Sequence, residues 1–181
     1  AGFQLLDLHD FPGQGTALVG VLDPFWDDKG YVTGEEYRTF CNSTVPLARF
    51  PKMVWLNNEK LEVPLEIAHF GEKPLPETMI RWTVSTVDKQ ILKEGFFTRE
   101  IPLGNCIPAG TVRCDLAGIK EPSQLLVSVQ IGDSDMRNHW NIWVYPAVKK
   151  TVDNLPYVTT RLDRTAQDKL NKGESVLLLT Y

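Results

Sequence analysis

Strict alternation of apolar and polar residues recurs in four separate runs between residues 49 and 148. In each run an apolar side chain occupies every second position, as in Leu61, Val63, Leu65 and Ile67; Ile80, Trp82 and Val84; Leu125, Val127, Val129 and Ile131; and Trp140, Ile142 and Val144. Successive side chains of a β-strand point to opposite faces of its sheet. Each run therefore predicts a strand with one buried face and one solvated face.

Turn-forming residues separate these runs. Glycine, proline, asparagine and aspartate cluster at residues 71–76, 104–105, 108–110 and 133–135, and Asp88 marks a further turn. Short strands with a turn roughly every 8–12 residues are typical of a sandwich. The sequence therefore predicts a mainly β fold, in which residues 49–148 form an antiparallel, immunoglobulin-like or fibronectin-like β-sandwich of about seven strands.

The first 48 residues have a different pattern. Residues 3–8 are largely apolar and predict a buried strand, a loop with Pro12, Gly13 and Gly15 follows, and a second apolar run covers residues 17–22. Residues 33–41 predict a helix, because Thr33 is a good N-cap and Glu36 stands three residues later, as in a capping box.

The last segment, residues 149–181, predicts a strand, a helix and a second strand. Residues 157–160 are the first strand, Asp163 caps a helix over residues 164–171, Gly173 stands where a helix-ending glycine belongs, and residues 176–179 form an apolar strand. This is one βαβ unit, and parallel strands of this kind need cover on both faces. The segment therefore reads as the start of a further domain.

Charge and composition exclude several classes of protein. The chain has 19 basic and 23 acidic residues, a net charge of −4. Proteins that bind nucleic acids or anionic membranes carry a basic excess, so neither partner is expected. No run of 18 apolar residues is present, so no membrane span is predicted. The opening residues lack the basic region of a signal peptide.

The three cysteines are Cys41, Cys106 and Cys114, an odd number without a CxxC motif. A disulfide framework and a zinc ribbon are therefore not expected. Cys106 and Cys114 are interpreted as two buried free thiols, with a disulfide between neighbouring strands as the alternative.

The densest polar cluster is Asp7, His9, Asp10 and Gln14. Asp7 and His9 share one face of the predicted strand, but a metal site needs three or four ligands. We therefore predict no metal and no cofactor, and interpret these side chains either as ligand contacts or as a polar loop.

Four of the five tryptophans, Trp55, Trp82, Trp140 and Trp143, could form a platform that stacks on sugars. Trp82 and Trp140 lie on apolar faces and are assigned to the core. Trp55 and Trp143 are candidates for an exposed aromatic surface, which would either stack on sugars or contact another domain.

Three stretches resemble glycoside hydrolase family 2, which includes β-galactosidases, β-mannosidases and exo-acting glucosaminidases. Residues 2–23 resemble the last strand and following loop of the catalytic barrel. Trp140-Asn141-Ile142-Trp143-Val144-Tyr145-Pro146 resembles the last strand of the immunoglobulin-like domain that follows the barrel. Residues 160–163 and 173–179 resemble the opening of a further accessory domain.

The resemblance implies three parts: residues 1–48 as the end of a TIM-barrel catalytic domain, 49–148 as the sandwich, and 149–181 as the start of an accessory domain. Such enzymes hydrolyse O-glycosidic bonds with two carboxylates about 5 Å apart in retaining members. Both are glutamates on earlier barrel strands. No glutamate precedes Glu35, and the Asn58-Glu59 pair lies in the predicted sandwich, so no catalytic residue carries over.

The implied chain is a non-catalytic part of a modular glycosidase, with the sandwich bracing the barrel. Asp7, His9, Asp10 and Gln14 would lie at the mouth of the last strand, where substrate contacts collect. The expected partners are carbohydrate, through the parent enzyme, the remaining domains of the polypeptide, and a second copy through residues 2–25. The expected location is periplasmic or secreted. A carbohydrate-binding module and a structural or adhesive module are the alternatives.

The 181-residue chain is expected to show no glycosidase activity of its own, because the resemblance carries over neither catalytic glutamate. The measurement is release of 4-nitrophenol from β-galactoside, β-mannoside and β-glucosaminide substrates. Turnover above the rate of heat-denatured protein would contradict this.

Overall fold

The computed structural model describes residues 4–15, 18–147 and 156–180. The chain divides into two compact units, Ala1–Ala147 and Val148–Tyr181. Phe3 and Ala17, where the two predicted apolar runs begin, lie outside the described residues, as do residues 148–155.

Over its described residues, the first unit has one short helix and eight strands. The helix α1 covers Gly34–Arg38. The strands are β1 (Thr44–Ala48), β2 (Val54–Leu56), β3 (Lys60–His69), β4 (Leu75–Thr86), β5 (Ile91–Ile101), β6 (Gly104–Asp115), β7 (Ser123–Ile131) and β8 (Arg137–Tyr145).

The eight strands form two sheets. One sheet has the order β1-β3-β6, and the other has the order β2-β8-β7-β4-β5. Neighbouring strands are antiparallel, except that the short β2 runs parallel to β8. The mainly β, antiparallel character predicted for residues 49–148 is confirmed, and the arrangement is compatible with a β-sandwich.

One hydrophobic core joins the two sheets. Its fully buried side chains come from both of them, including Leu61 and Val63 of β3, Ile80 of β4, Val127 of β7 and Ile142 of β8. These are positions that the alternation assigned to the inner face. In β3, buried and exposed residues alternate along the first half of the strand. The opposite, outer faces carry polar side chains together with a few apolar ones such as Leu126 and Trp143.

His69 is a polar side chain inside this fold. It is buried, its Nδ1 lies 2.7 Å from Thr44 Oγ1, and its Nε2 lies 2.9 Å from the Lys73 carbonyl oxygen. A carbonyl can only accept, so Nε2 carries the proton and Nδ1 accepts from the threonine hydroxyl. Both nitrogens are thus satisfied, as a buried polar group requires.

Residues 4–15 and 18–43 form no regular strand. Isolated bridges join His9 to Leu22 and Leu22 to Asp28, and Leu6 is exposed. The buried strand predicted at residues 3–8 is therefore not formed over residues 4–8, the part of it that the structure describes, and the barrel remnant is not shown. A parallel barrel strand needs a hydrogen-bonded neighbour on each side and cover on both faces, and residues 4–8 have neither here.

The helix predicted at Thr33 is confirmed, but it is shorter than expected. Thr33 Oγ1 accepts from the Glu36 amide at 3.1 Å, and Glu36 Oε2 accepts from the Thr33 amide at 2.8 Å, which completes the capping box. The helix ends at Arg38 rather than at residue 41.

The second unit has the predicted βαβ connection. Strands β9 (Tyr157–Thr159) and β10 (Val176–Leu178) pair in parallel, with α2 (Arg164–Asn171) between them in sequence. Asp163 caps α2 through the Ala166 amide at 2.8 Å, and Gly173 has a φ of 75°. Val158, Leu177 and Leu178 remain exposed in this unit.

The cysteines differ from expectation in one respect. All three are free thiols, and Cys114 is buried, but Cys106 is exposed. Cys106 has a positive φ at the start of β6, where the register shifts relative to β3. The irregular backbone turns its side chain outward.

Strand β5 ends the order of the five-stranded sheet. It is 11 residues long and carries Lys93, Glu94, Arg99 and Glu100 as exposed side chains.

Gly110 is expected to tolerate no side chain. Its φ is 154°, and an added Cβ would lie 2.7 Å from the Phe97 ring, which stacks on Trp82. Gly110→Ala should lower the free energy of unfolding by about 1–3 kcal/mol, measured by denaturant titration. Gly118→Ala is the control, because a Cβ there meets nothing within 4 Å. Equal stability of the two variants would contradict this.

Candidate functional site

The Asp10 carboxylate is at the centre of a hydrogen-bonded cluster in the N-terminal segment. Lys29 Nζ donates to its two oxygens at 2.9 and 3.0 Å, and the Gly20 amide donates to Oδ1 at 2.9 Å. The residue is only 3% exposed. The Lys29 hydrogen bonds, followed by that from Gly20, hold the pKa of Asp10 below its usual value.

The same lysine ties further segments together. Lys29 Nζ also donates to the Gly20 carbonyl at 2.9 Å and to the Leu18 carbonyl at 3.3 Å, and the Tyr31 hydroxyl donates to the Gly20 carbonyl. A Cβ on Gly20 would lie 2.2 Å from the His9 carbonyl carbon, so only glycine fits. The cluster therefore connects residues 9–10, 18–20 and 29–31.

The four predicted sugar contacts have different surroundings. Asp10 is buried, and its carboxylate accepts hydrogen bonds from Lys29 and the Gly20 amide. His9 Nδ1 donates to the Asp10 carbonyl at 2.7 Å, and its ring lies 4.5 Å from that of Trp26. Asp7 is half-buried, and Gln14 is exposed in the turn after Phe11. For all four residues the sugar-contact role stays a prediction.

Glu59, the glutamate of the Asn58-Glu59 pair, holds a turn. Its Oε2 accepts from the Leu56 amide at 2.7 Å, and Lys52 Nζ donates to the same oxygen at 2.7 Å. The Leu56 amide, and next Lys52, lower the pKa of Glu59. Glu59 therefore stabilises the turn between β2 and β3 through these two hydrogen bonds.

The two tryptophans predicted to form an aromatic surface are separated by burial. Trp55 is 5% exposed and belongs to the core, so its assignment to an exposed surface is wrong. It lies in the middle of β2, a strand of three residues that is too short to show a period. Trp143 is 40% exposed on the outer face of β8.

A second candidate site lies under α1, where a cleft of about 860 Å³ separates this helix from the outer face of the five-stranded sheet. We call it the α1 cleft. Its lining includes Glu35, Glu36, Arg81, Thr83, Ser128 and His139. Arg137 pairs with Glu35, and Arg38 Nε lies 3.7 Å from Asp135 Oδ2, so ion pairs join the helix to β8 and to the turn before it.

Sequence reasoning did not identify this cleft. The alternation placed Arg81, Thr83, Ser128 and Gln130 on outer faces. The sequence does not reveal the register in which β4, β7 and β8 pair, and only this pairing brings these side chains together.

Two further properties bear on membranes and metals. Within the described ranges, no helix is long and apolar enough to cross a membrane. The described histidine, cysteine, aspartate and glutamate side chains form no group of three or more that could hold a metal ion.

Residues 59–146, which cover β3 to β8, match a family model described as a domain of unknown function, DUF8488. No curated protein matches the sequence.

Among solved structures, similar ones include a Parabacteroides merdae β-glucuronidase with glycerol in its active site (TM-score 0.35, 11% identity, 63% of this chain and 14% of that chain). Another is a β-glucuronidase from glycoside hydrolase family 2 (TM-score 0.36, 11% identity, 64% of this chain and 12% of that chain). A third is a putative β-galactosidase from Bacteroides fragilis (TM-score 0.36, 10% identity, 66% of this chain and 20% of that chain). The resemblance is distant, and this chain spans a fifth or less of each of these proteins.

Asp10→Asn is expected to loosen the N-terminal segment. It removes the charge that holds Lys29, so protection of the Gly20 amide from hydrogen exchange should fall roughly tenfold at pH 7. In the unchanged chain the same protection should be full above about pH 4 and decline as the pH falls through the lowered pKa of Asp10, because the protonated carboxyl loses the ion pair. Asp7→Asn is the control, and an equal loss of protection there would contradict the assignment.

Proposed function

We propose that this chain is the non-catalytic β-sandwich part of a modular glycoside hydrolase, and that residues 4–40 pack against the catalytic barrel of that enzyme. The resemblance of residues 2–23 and 140–146 to family 2 supports this, and the mainly β fold is compatible with it. The observation that carries the proposal is the apolar surface of residues 4–40.

This surface is unusually dense in large apolar side chains. Its exposed members are Leu5, Leu6, Leu8, Phe11, Leu18, Val19, Phe25, Trp26, Tyr31 and Phe40. Single exposed apolar residues are ordinary, but many of them within one segment indicate an interaction site. Phe25 is the most exposed of the group, at 83%.

The occupant is inferred from the resemblance of residues 2–23 to the last strand and following loop of a family 2 catalytic barrel. The sandwich would then act as a brace, and the Asp10–Lys29 cluster would fix the shape of the segment between the two domains.

The coding region on the N-terminal side of Ala1 tests this proposal. We expect it to encode several predicted βα units with an Asn-Glu pair and a second glutamate at strand ends. A reading frame without these carboxylates would overturn the glycosidase assignment.

In the protein that includes this region, Phe25→Asp should destabilise packing of residues 4–40 on the barrel by about 1–3 kcal/mol, because an interface aromatic would be replaced by a charge. Thermal unfolding monitored by calorimetry measures the effect. Phe70→Asp is the matched control, since Phe70 is 67% exposed but lies beyond the end of β3. Equal shifts in the two variants would contradict the interface.

A further inference from the structure

One cross-strand row forms the floor of the α1 cleft. Thr83 of β4 lies opposite Ser128 of β7, and Ser128 lies opposite His139 of β8. Directly opposed side chains on one sheet face are about 5 Å apart. Among the described residues, none of these three side chains has a hydrogen-bond partner, and all three line the cleft.

The charged side chains that line the cleft balance one another in sign. Arg81 donates to Asp133 at 2.7 Å, and Arg137 pairs with Glu35. Glu36, which accepts from the Thr33 amide and hydroxyl, and Lys89 also line the cleft; among the described residues neither has an ion-pair partner, and their opposite charges offset each other. An anionic ligand needs uncompensated positive charge, and a cation needs a concentration of free carboxylates. The balance of charges therefore favours an uncharged ligand.

Apolar surface accompanies the polar row. Leu126 is half-buried, lines the cleft, and lies opposite Asn141 on the same outer face. Trp143 follows His139 by four residues on that face of β8, about 13 Å away along the strand. An elongated ligand that leaves the cleft along β8 would thus meet an exposed indole ring.

We propose that the α1 cleft binds a neutral oligosaccharide. Sugar hydroxyls both donate and accept hydrogen bonds, which matches the threonine and serine hydroxyls and the imidazole of the row. The C–H faces of sugar rings match Leu126 and Trp143. The inference goes beyond the bracing role proposed above and does not rest on it.

Isothermal titration calorimetry on the 181-residue chain tests the site. The probes are three neutral polysaccharides (galactomannan, xyloglucan and soluble starch), with polygalacturonate and inorganic phosphate as anionic probes. We expect saturable binding of at least one neutral polysaccharide. The combined change Thr83→Ala and His139→Ala should weaken it at least tenfold, and Trp143→Ala should weaken it as well.

Thr111→Ala is the matched control. Thr111 is also a half-buried threonine, but it lies on β6 of the other sheet. It should leave binding unchanged, and thermal unfolding followed by circular dichroism would show that every variant is folded.

Three results would overturn the inference: no binding of the three neutral polysaccharides, binding that the cleft variants do not weaken, or binding confined to the anionic probes. Helix α1 belongs both to residues 4–40 and to the cleft. None of these outcomes tests the packing of residues 4–40 against a barrel, so each leaves the bracing role unaffected.

Discussion

Burial of one face of each sheet is the constraint on which the rest of the molecule depends. The shared core takes side chains from both sheets, and its burial supplies about 25 cal/mol for each Å² of apolar surface removed from water. Because alternate residues are committed to this core, only the intervening positions can carry function. The row of Thr83, Ser128 and His139 is such a set of intervening positions, held in place by the register that the core enforces.

The N-terminal segment depends on different forces. Its described residues contribute no side chain to the shared core. They are held by the Asp10–Lys29 ion pair, the Gly20 contacts and the capping box of α1. Polar clusters of this kind supply less stability than a core. We therefore expect residues 4–40 to open locally before the sandwich unfolds.

Much of the fold could be predicted because its signals are local. The alternation in β3, β4, β7 and β8, the capping box at Thr33 and the Asp163 cap each lie within a few residues of sequence. The fold of residues 4–8, the burial of Trp55 and the exposure of Cys106 could not be read in this way. They depend on whether a neighbouring strand is present, on the length of a strand and on a register shift, which are properties of tertiary pairing.

The candidate sites also differ in whether their residues are neighbours in the sequence or meet only through strand pairing. The polar residues Asp7, His9, Asp10 and Gln14 were noticeable because they are adjacent in sequence. The α1 cleft was not, because its residues come from α1, β4, β7 and β8 and meet only through pairing. Clustering along the sequence was enough to single out Asp10, whereas the cross-strand row could be recognised only from the register of β4, β7 and β8.

The charged edge strand β5 has a consequence for how such domains can be arranged. An open sheet edge is a template for the strand of another molecule, and charged side chains along it oppose that pairing. With lysine, glutamate and arginine along β5, neighbouring copies of the sandwich would repel edge-to-edge sheet extension. A domain protected in this way can be joined in tandem with others, or kept at high concentration, without its sheets merging into aggregates.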